Sequence, residues 1–237
     1  MLALHQVRVW HLALGRRPDA LADLLSPDER ERAGRYHFER DRTCFITVRA
    51  TLRRLLGQHL DLSPQAVKLC YGAHGKLALP TEGRRRDIRF NVSHSGDRAL
   101  IAMALGREVG VDIERIRPLG DTMMSLAQYF SPAEQAALAV LETADCPAAF
   151  FACWTRKEAY VKARGLGMSL DLQSFDVSLQ PGQPAALLRT SHDPPAVHRW
   201  SMHDLDAGPG YSAALVVEGG CRRVDDAPLE PHQPGPA

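Results

Sequence analysis

Ser26-Pro27-Asp28-Glu29 and Ser131-Pro132-Ala133-Glu134 write the same helix-starting signal twice, with the two serines 105 residues apart. A serine can cap a helix, a proline at the first helical position loses no needed N–H, and a glutamate at the third can reach back to the cap. After the first box, Phe45, Val48, Leu52, Leu55 and Leu56 recur at helical spacing and predict a second helix from about Arg40 to His59. Strands are expected at Val67 to Tyr71 and Ile88 to Val92. After the second box, whose own helix runs to about Glu142, Pro147 opens a helix that Gly165 and Gly167 can end. Strands are expected there at Ser174 to Leu179, Val197 to Met202 and Tyr211 to Val217. The order box, long helix, strands thus occurs twice, and the expected fold is α+β with two similar halves, residues 1–105 and 106–218, around a cleft. From Gly219 onward Gly, Pro and charge replace apolar periodicity, so residues 219–237 are expected to form a disordered tail.

The 237 residues, 45% hydrophobic and 24% charged, suit a soluble globular protein. A net charge of +1 argues against a non-specific nucleic-acid binder, and the Arg84-Arg85-Arg86 run reads as a solvated loop. Met1 to Trp10 alternates like a strand and lacks the layout of a secretory signal, and no stretch has the length of a membrane span. Cys44, Cys70, Cys146, Cys153 and Cys221 are odd in number, widely spaced and without a Cys-x-x-Cys pair. They read as reduced packing thiols, and the expected location is the cytoplasm.

Gly110-Val111-Asp112-Ile113-Glu114 reads as a strand, on which Asp112 and Glu114 share one face while Val111 and Ile113 take the other. Glu158 and Lys162 stand one turn apart on the second long helix, beside an apolar stripe of Phe150, Trp154 and Val161. Each pair has an ordinary explanation: Glu and Lys at i,i+4 contribute about 0.2–0.5 kcal/mol on a solvated helix, and acids at a strand end form a solvated rim. If the helix crosses the strand, three carboxylates and an ammonium converge, a set that suits a hard divalent cation and a phosphate.

Further segments could meet phosphate. Phe90-Asn91-Val92-Ser93-His94-Ser95-Gly96 ends a strand in small hydroxyl residues, and Gly72-Ala73-His74-Gly75-Lys76 joins two glycines to a lysine. The latter lacks P-loop spacing. Arg49 stands among Arg42, Arg53 and Arg54 and could bind a phosphate bidentately, or simply face solvent with them.

In order and spacing, Phe90 to Ser95, Gly110 to Glu114 and Trp154-Thr155-Arg156-Lys157-Glu158-Ala159-Tyr160-Val161-Lys162-Ala163-Arg164-Gly165 resemble the signatures of 4'-phosphopantetheinyl transferases, of the surfactin-synthetase-activating type. The resemblance covers about residues 72 to 170. It implies two halves related by a pseudo-twofold axis in a monomer, with the active site between them. It also implies transfer of the phosphopantetheine arm of coenzyme A, the substrate, to a serine of an apo acyl or peptidyl carrier protein, releasing adenosine 3',5'-bisphosphate. Asp112, Glu114 and Glu158 would then hold Mg²⁺, or Mn²⁺, and Glu158 would accept the serine proton directly or through a water. Lys162 would serve the leaving phosphate, while Arg49, Lys76, Ser93 and His94 would contact coenzyme A. Leu77 and Tyr71 depart from residues common in the family at the nucleotide end of the site. A carrier- or coenzyme-binding protein without turnover and an RNA-binding protein are the competing readings. The acidic and lysine positions speak against the first, and the balanced charge against the second.

Overall fold

The computed structural model describes residues 6–14, 21–81, 87–221 and 223–228. Its first strand, β1 (Gln6–Ala13), feeds two cores, because Val7 and Val9 face one side and Trp10 and Leu12 contribute to the other. Two helices follow, α1 (Pro27–Gly34) and α2 (Glu39–Leu60), and then the short hairpin of β2 (Cys70–Tyr71) and β3 (Leu77–Ala78). Helix α2 ends at Asp61, whose φ of 57° turns the chain out of the helix. A longer hairpin joins β4 (Ile88–Ser95) to β5 (Arg98–Leu105) through Gly96 and Asp97. Gly96 has a φ of 62°, which a two-residue hairpin turn accepts most readily from glycine.

The second half continues with β6 (Val109–Arg115), α3 (Asp121–Ala127), α4 (Pro132–Ala139) and α5 (Cys146–Arg164). The hairpin of β7 (Phe175–Val177) and β8 (Leu187–Thr190) comes next, then β9 (Trp200–Asp204), β10 (Tyr211–Glu218) and β11 (Arg223–Pro228). One sheet has the order β11-β1-β5-β4 and the other β6-β10-β9. Helix α2 covers the first sheet through Val48, Leu52, Leu55 and Leu56, packed with Phe90, Ile101 and Met103. Helix α5 covers the second, where Phe150, Tyr160 and Val161 share a core with Ala214 and Val216. The remaining faces of the two sheets meet in a third core that includes Val9, Leu100, Val111, Ile113 and Leu215.

The repeated box is a repeated structure. Ser131 and Glu134 satisfy each other's backbone N–H groups, at 3.2 and 2.9 Å, and Glu29 accepts the Ser26 N–H at 3.1 Å. Both glutamates are buried, and each meets a cation from the long helix that follows, Glu29 with Arg53 and Glu134 with Lys157. A buried carboxylate needs such a partner. The box therefore starts one helix and also anchors the next.

Several expectations need correction. Of Val67 to Tyr71 only Cys70–Tyr71 is strand, and a 3-10 turn, Pro194–His198, occupies the start of the segment expected from Val197. Helix α4 stops at Ala139, short of Glu142. The expected tail is not structureless throughout: Arg223–Pro228 pairs in parallel with β1, with Asp225 bonded to Gln6 and Asp226 to His11. Polar side chains and an edge ladder hold this strand, so apolar periodicity could not reveal it. Met1 to His5, Arg84 to Arg86 and the end of the tail lie outside the described residues.

Candidate active site

Strand β6 places its residues as alternation predicts: Val111 and Ile113 enter the core between the sheets, and Asp112 and Glu114 turn toward α5. Gly110 shares their face and makes the approach possible. A Cβ there would stand 2.1 Å from the Ala159 carbonyl oxygen and 2.3 Å from the Ala163 nitrogen. With glycine at that point and alanines opposite, α5 lies directly on β6 and brings Glu158 and Lys162 over the two acids.

Lys162 Nζ lies 2.6 Å from Asp112 Oδ1 and 3.0 Å from Ser93 Oγ. The second carboxylate oxygen, Asp112 Oδ2, is buried without a hydrogen-bond partner among the described residues. Burial pushes the Glu158 carboxyl above the usual carboxylate range, the charges of Asp112 and Glu114 add to the rise, and Lys162 opposes it. Burial also raises Glu114, and its hydrogen bond from Ser95 opposes that. Acids held at raised pKa beside a buried acceptor with no partner have the chemistry of a hard-cation site. The ready-made three-carboxylate cage expected from sequence is not formed: among the described residues, no three His, Cys, Asp or Glu side chains stand together as a metal cage. Lys162 occupies one oxygen of Asp112, and the Ser95 hydroxyl holds Glu114 Oε2 at 2.7 Å. The residues still fit Mg²⁺, which uses few carboxylates and completes its shell with water and substrate phosphates.

Ser93 is buried and committed: it donates to Asp112 Oδ1 at 2.8 Å and accepts the Ile113 N–H at 3.4 Å. Its hydroxyl therefore orients Asp112 instead of pointing at a ligand. His94, next along β4, keeps part of its surface in solvent, and the partial burial of its ring, with the nearby Lys162 ammonium, pushes its imidazole below the ordinary value. Asp41 and Asp112 oppose that shift.

Lys76 requires a correction. Its three N–H donors go to Glu108 Oε2 at 2.8 Å and to the carbonyls of Val109 and Ala163, both at 3.1 Å. Such an ammonium has no donor left for a phosphate. Lys76 instead ties the β2–β3 hairpin to the start of β6 and the C-terminal turn of α5, where a cation is favoured.

Arg49 stands between two cavities and lines both. One, about 730 Å³, lies between the halves and is lined by Glu158 and Lys162 with Phe90, Asn91, Tyr129 and Met168. The other, about 960 Å³, is lined by Arg32, Arg35, Arg49, Lys68 and Tyr71. Arg49 donates to Glu29 at 3.3 Å and to the Tyr71 hydroxyl at 3.5 Å, and that hydroxyl also accepts from Arg32 at 2.8 Å. Tyr71, a departure in the sequence, thus gathers two arginines.

The middle of the α5 motif is structural. Lys157 is fully buried, pairs with Glu134 at 2.8 Å and donates to the carbonyls of Leu172 and Phe175 at 2.7 and 2.6 Å. Arg156 forks onto Asp204 at 2.9 and 2.6 Å. Sequence reading missed Gly110 and Ser95 as site-builders. The alternation Asn91-x-Ser93-x-Ser95 was the available signal for the second, since it places three polar side chains on one strand face.

Comparison with known proteins places both halves of the chain in one family. Residues 108–216 match the family model described as the 4'-phosphopantetheinyl transferase superfamily, and residues 16–105 match that of the 4'-phosphopantetheinyl transferase N-terminal region. The 4'-phosphopantetheinyl transferase HetI of Nostoc sp. strain PCC 7120 is 35% identical over 217 residues, covering 90% of this chain and 88% of its own. The 4'-phosphopantetheinyl transferase Sfp of Bacillus subtilis strain 168 is 28% identical over 194 residues, covering 81% and 82%. The L-aminoadipate-semialdehyde dehydrogenase-phosphopantetheinyl transferase of Homo sapiens is 26% identical over 216 residues, covering 85% of this chain and 70% of its own. With both halves matched and a relative at this identity aligned over most of its length, the chain belongs to the 4'-phosphopantetheinyl transferase family and is of the Sfp-like type.

Proposed function

We propose that the cleft between the halves binds coenzyme A together with Mg²⁺ and receives the serine of an apo acyl or peptidyl carrier protein. The protein is a phosphopantetheinyl transferase: it moves the phosphopantetheine arm of coenzyme A onto a carrier protein. The observation that carries the assignment of the site is the Gly110 contact, which sets Glu158 and Lys162 of α5 against Asp112 and Glu114 of β6.

In the transfer, the serine oxygen forms a bond to the phosphorus of the pantetheine phosphate, and the bond from that phosphorus to the bridging pyrophosphate oxygen breaks. Adenosine 3',5'-bisphosphate leaves with the bridging oxygen. Glu158 accepts the serine proton, directly or through a water held beside it. Lys162 spends two donors on Asp112 and Ser93 and keeps one for an oxygen of the leaving phosphate. Asp112, Glu114 and Glu158 would hold Mg²⁺, which when bound supplies charge neutralisation at the phosphates. Arg49 and His94 take the phosphates at the nucleotide end, with Arg32 and Tyr71 supporting Arg49.

Both halves of the cleft come from one chain, which favours a monomer. No described helix is long and apolar enough to cross a membrane. All five cysteines are free, and we assign the protein to the reducing cytoplasm. The experiment that tests the reading is the mass of apo carriers from fatty acid, polyketide and nonribosomal peptide systems after incubation with protein, coenzyme A and Mg²⁺. A gain of one phosphopantetheine arm on at least one supports it, and no gain on any, with folded protein, contradicts it.

A further inference from the structure

Strands β4 and β6 are the facing edges of the two sheets, and among the described residues β6 pairs through its backbone only with β10. The N–H groups of Val111, Ile113 and Arg115 on β6 point away from β10, and each of these is taken by a side chain of β4. Val111 N–H donates to Asn91 Oδ1 at 2.9 Å, Ile113 N–H to Ser93 Oγ at 3.4 Å and Arg115 N–H to Ser95 Oγ at 3.1 Å. The register advances by two residues on each strand, so Asn91, Ser93 and Ser95 form a comb that joins the halves.

The two serines repeat one geometry. Each accepts an N–H from β6 and donates its own hydrogen to the acid one position earlier: Ser93 to Asp112 at 2.8 Å and Ser95 to Glu114 at 2.7 Å. A hydroxyl has a single hydrogen, so an N–H entering one lone pair leaves that hydrogen to define the acceptor. Glu114 has three rotatable bonds and is only half-buried, and this contact selects its rotamer.

We propose that Ser95 is a positioning residue: by clamping Glu114 to the opposite half, it fixes that carboxylate in the orientation that serves a divalent cation beside Asp112. The inference rests on the metal-dependent reading above. It also makes the joint between the halves and the geometry of the metal site one construction.

The test uses Mn²⁺ as probe, with free Mn²⁺ read by electron paramagnetic resonance in the presence of coenzyme A, and the thermal midpoint of each variant as a control. Ser95→Ala is expected to weaken Mn²⁺ binding about tenfold, the usual size of a lost outer-shell contact, while Ser95→Thr, which restores a hydroxyl, stays near wild type. In a Glu114→Gln background, Ser95→Ala should cost no more than about twofold further, because Ser95 acts through Glu114. Wild-type Mn²⁺ affinity in Ser95→Ala, or the same loss with and without Glu114, would overturn the proposal. Should the alanine variant fail to fold, Ser95→Cys keeps the volume and weakens the hydrogen bond. A several-fold loss there supports the proposal, and unchanged affinity overturns it. Because metal binding is read apart from transfer, a wild type that binds Mn²⁺ yet modifies no carrier counts against the assigned function and leaves the Ser95–Glu114 coupling standing.

Discussion

Lys162 holds one oxygen of the Asp112 carboxylate at 2.6 Å while the other stays buried with no hydrogen-bond partner among the described residues. A buried acceptor in that state is costly unless something cationic completes it. In the proposed function the pair would join two duties, holding a cation beside Asp112 and setting an ammonium close to the leaving group.

Replacing Glu158 tests its proposed part in the proton transfer. Glu158→Gln keeps the volume and abolishes the proton acceptor, so the transfer rate should fall by at least about a hundredfold, with an unchanged circular dichroism spectrum. A variant with near-native turnover would take Glu158 out of the proton transfer.

The contact at Gly110 tests how the site is built. Gly110→Ala puts a Cβ within 2.3 Å of helix backbone, where nothing flexible can yield. Overpacking of this kind costs about 1–3 kcal/mol, and it should lift α5 from β6. Urea unfolding should show the loss, and Mn²⁺ affinity should fall with it. Wild-type stability would mean that the two elements are not in such close contact.

Lys76 separates tie from ligand. Lys76→Met strands the Val109 and Ala163 carbonyls, and the midpoint of urea unfolding should drop by an amount worth about 1–3 kcal/mol. The KM for coenzyme A should change less than about threefold, an affinity difference under 1 kcal/mol. A large rise in KM with unchanged stability would restore Lys76 as a phosphate ligand.

The raised Glu158 pKa has a defined sign in stability. A carboxyl whose folded pKa lies above its unfolded value of 4.5 favours the folded state when protonated. Metal-free wild type holds that contribution fully below the unfolded pKa and loses it as pH climbs through the folded one. Relative to Glu158→Gln, its thermal midpoint should therefore decline as pH rises above about 4. A difference that is flat or rises with pH would contradict the assignment.

The repeated boxes and the Asp112–Glu114 alternation were legible because caps and strand periodicity are local. Strand β5 was not: Ala99 to Leu105 is apolar without alternation, since α2 covers one face and the second sheet the other. Nor could sequence show that Lys76 and Lys157 are both consumed by backbone carbonyls, because those acceptors come from segments 15 to 87 residues away. Ser93 was expected from sequence to contact a phosphate of coenzyme A, whereas its partner in the structure is Asp112, a contact across the joint between halves that no local pattern could show. Gly110 carried no motif beyond its place beside the acids, and only the nearness of Ala159 and Ala163 explains it.

The central claim is that Asp112, Glu114, Glu158 and Lys162 form one site for phosphopantetheinyl transfer. Its most direct measurement is the intact mass of an apo carrier protein incubated with coenzyme A, Mg²⁺ and either wild type or Asp112→Asn, with all proteins folded. The account predicts one added phosphopantetheine arm with wild type, none with wild type in excess chelator, and a loss of at least about a hundredfold in rate with Asp112→Asn. Full modification by Asp112→Asn, or by wild type in chelator, would contradict it.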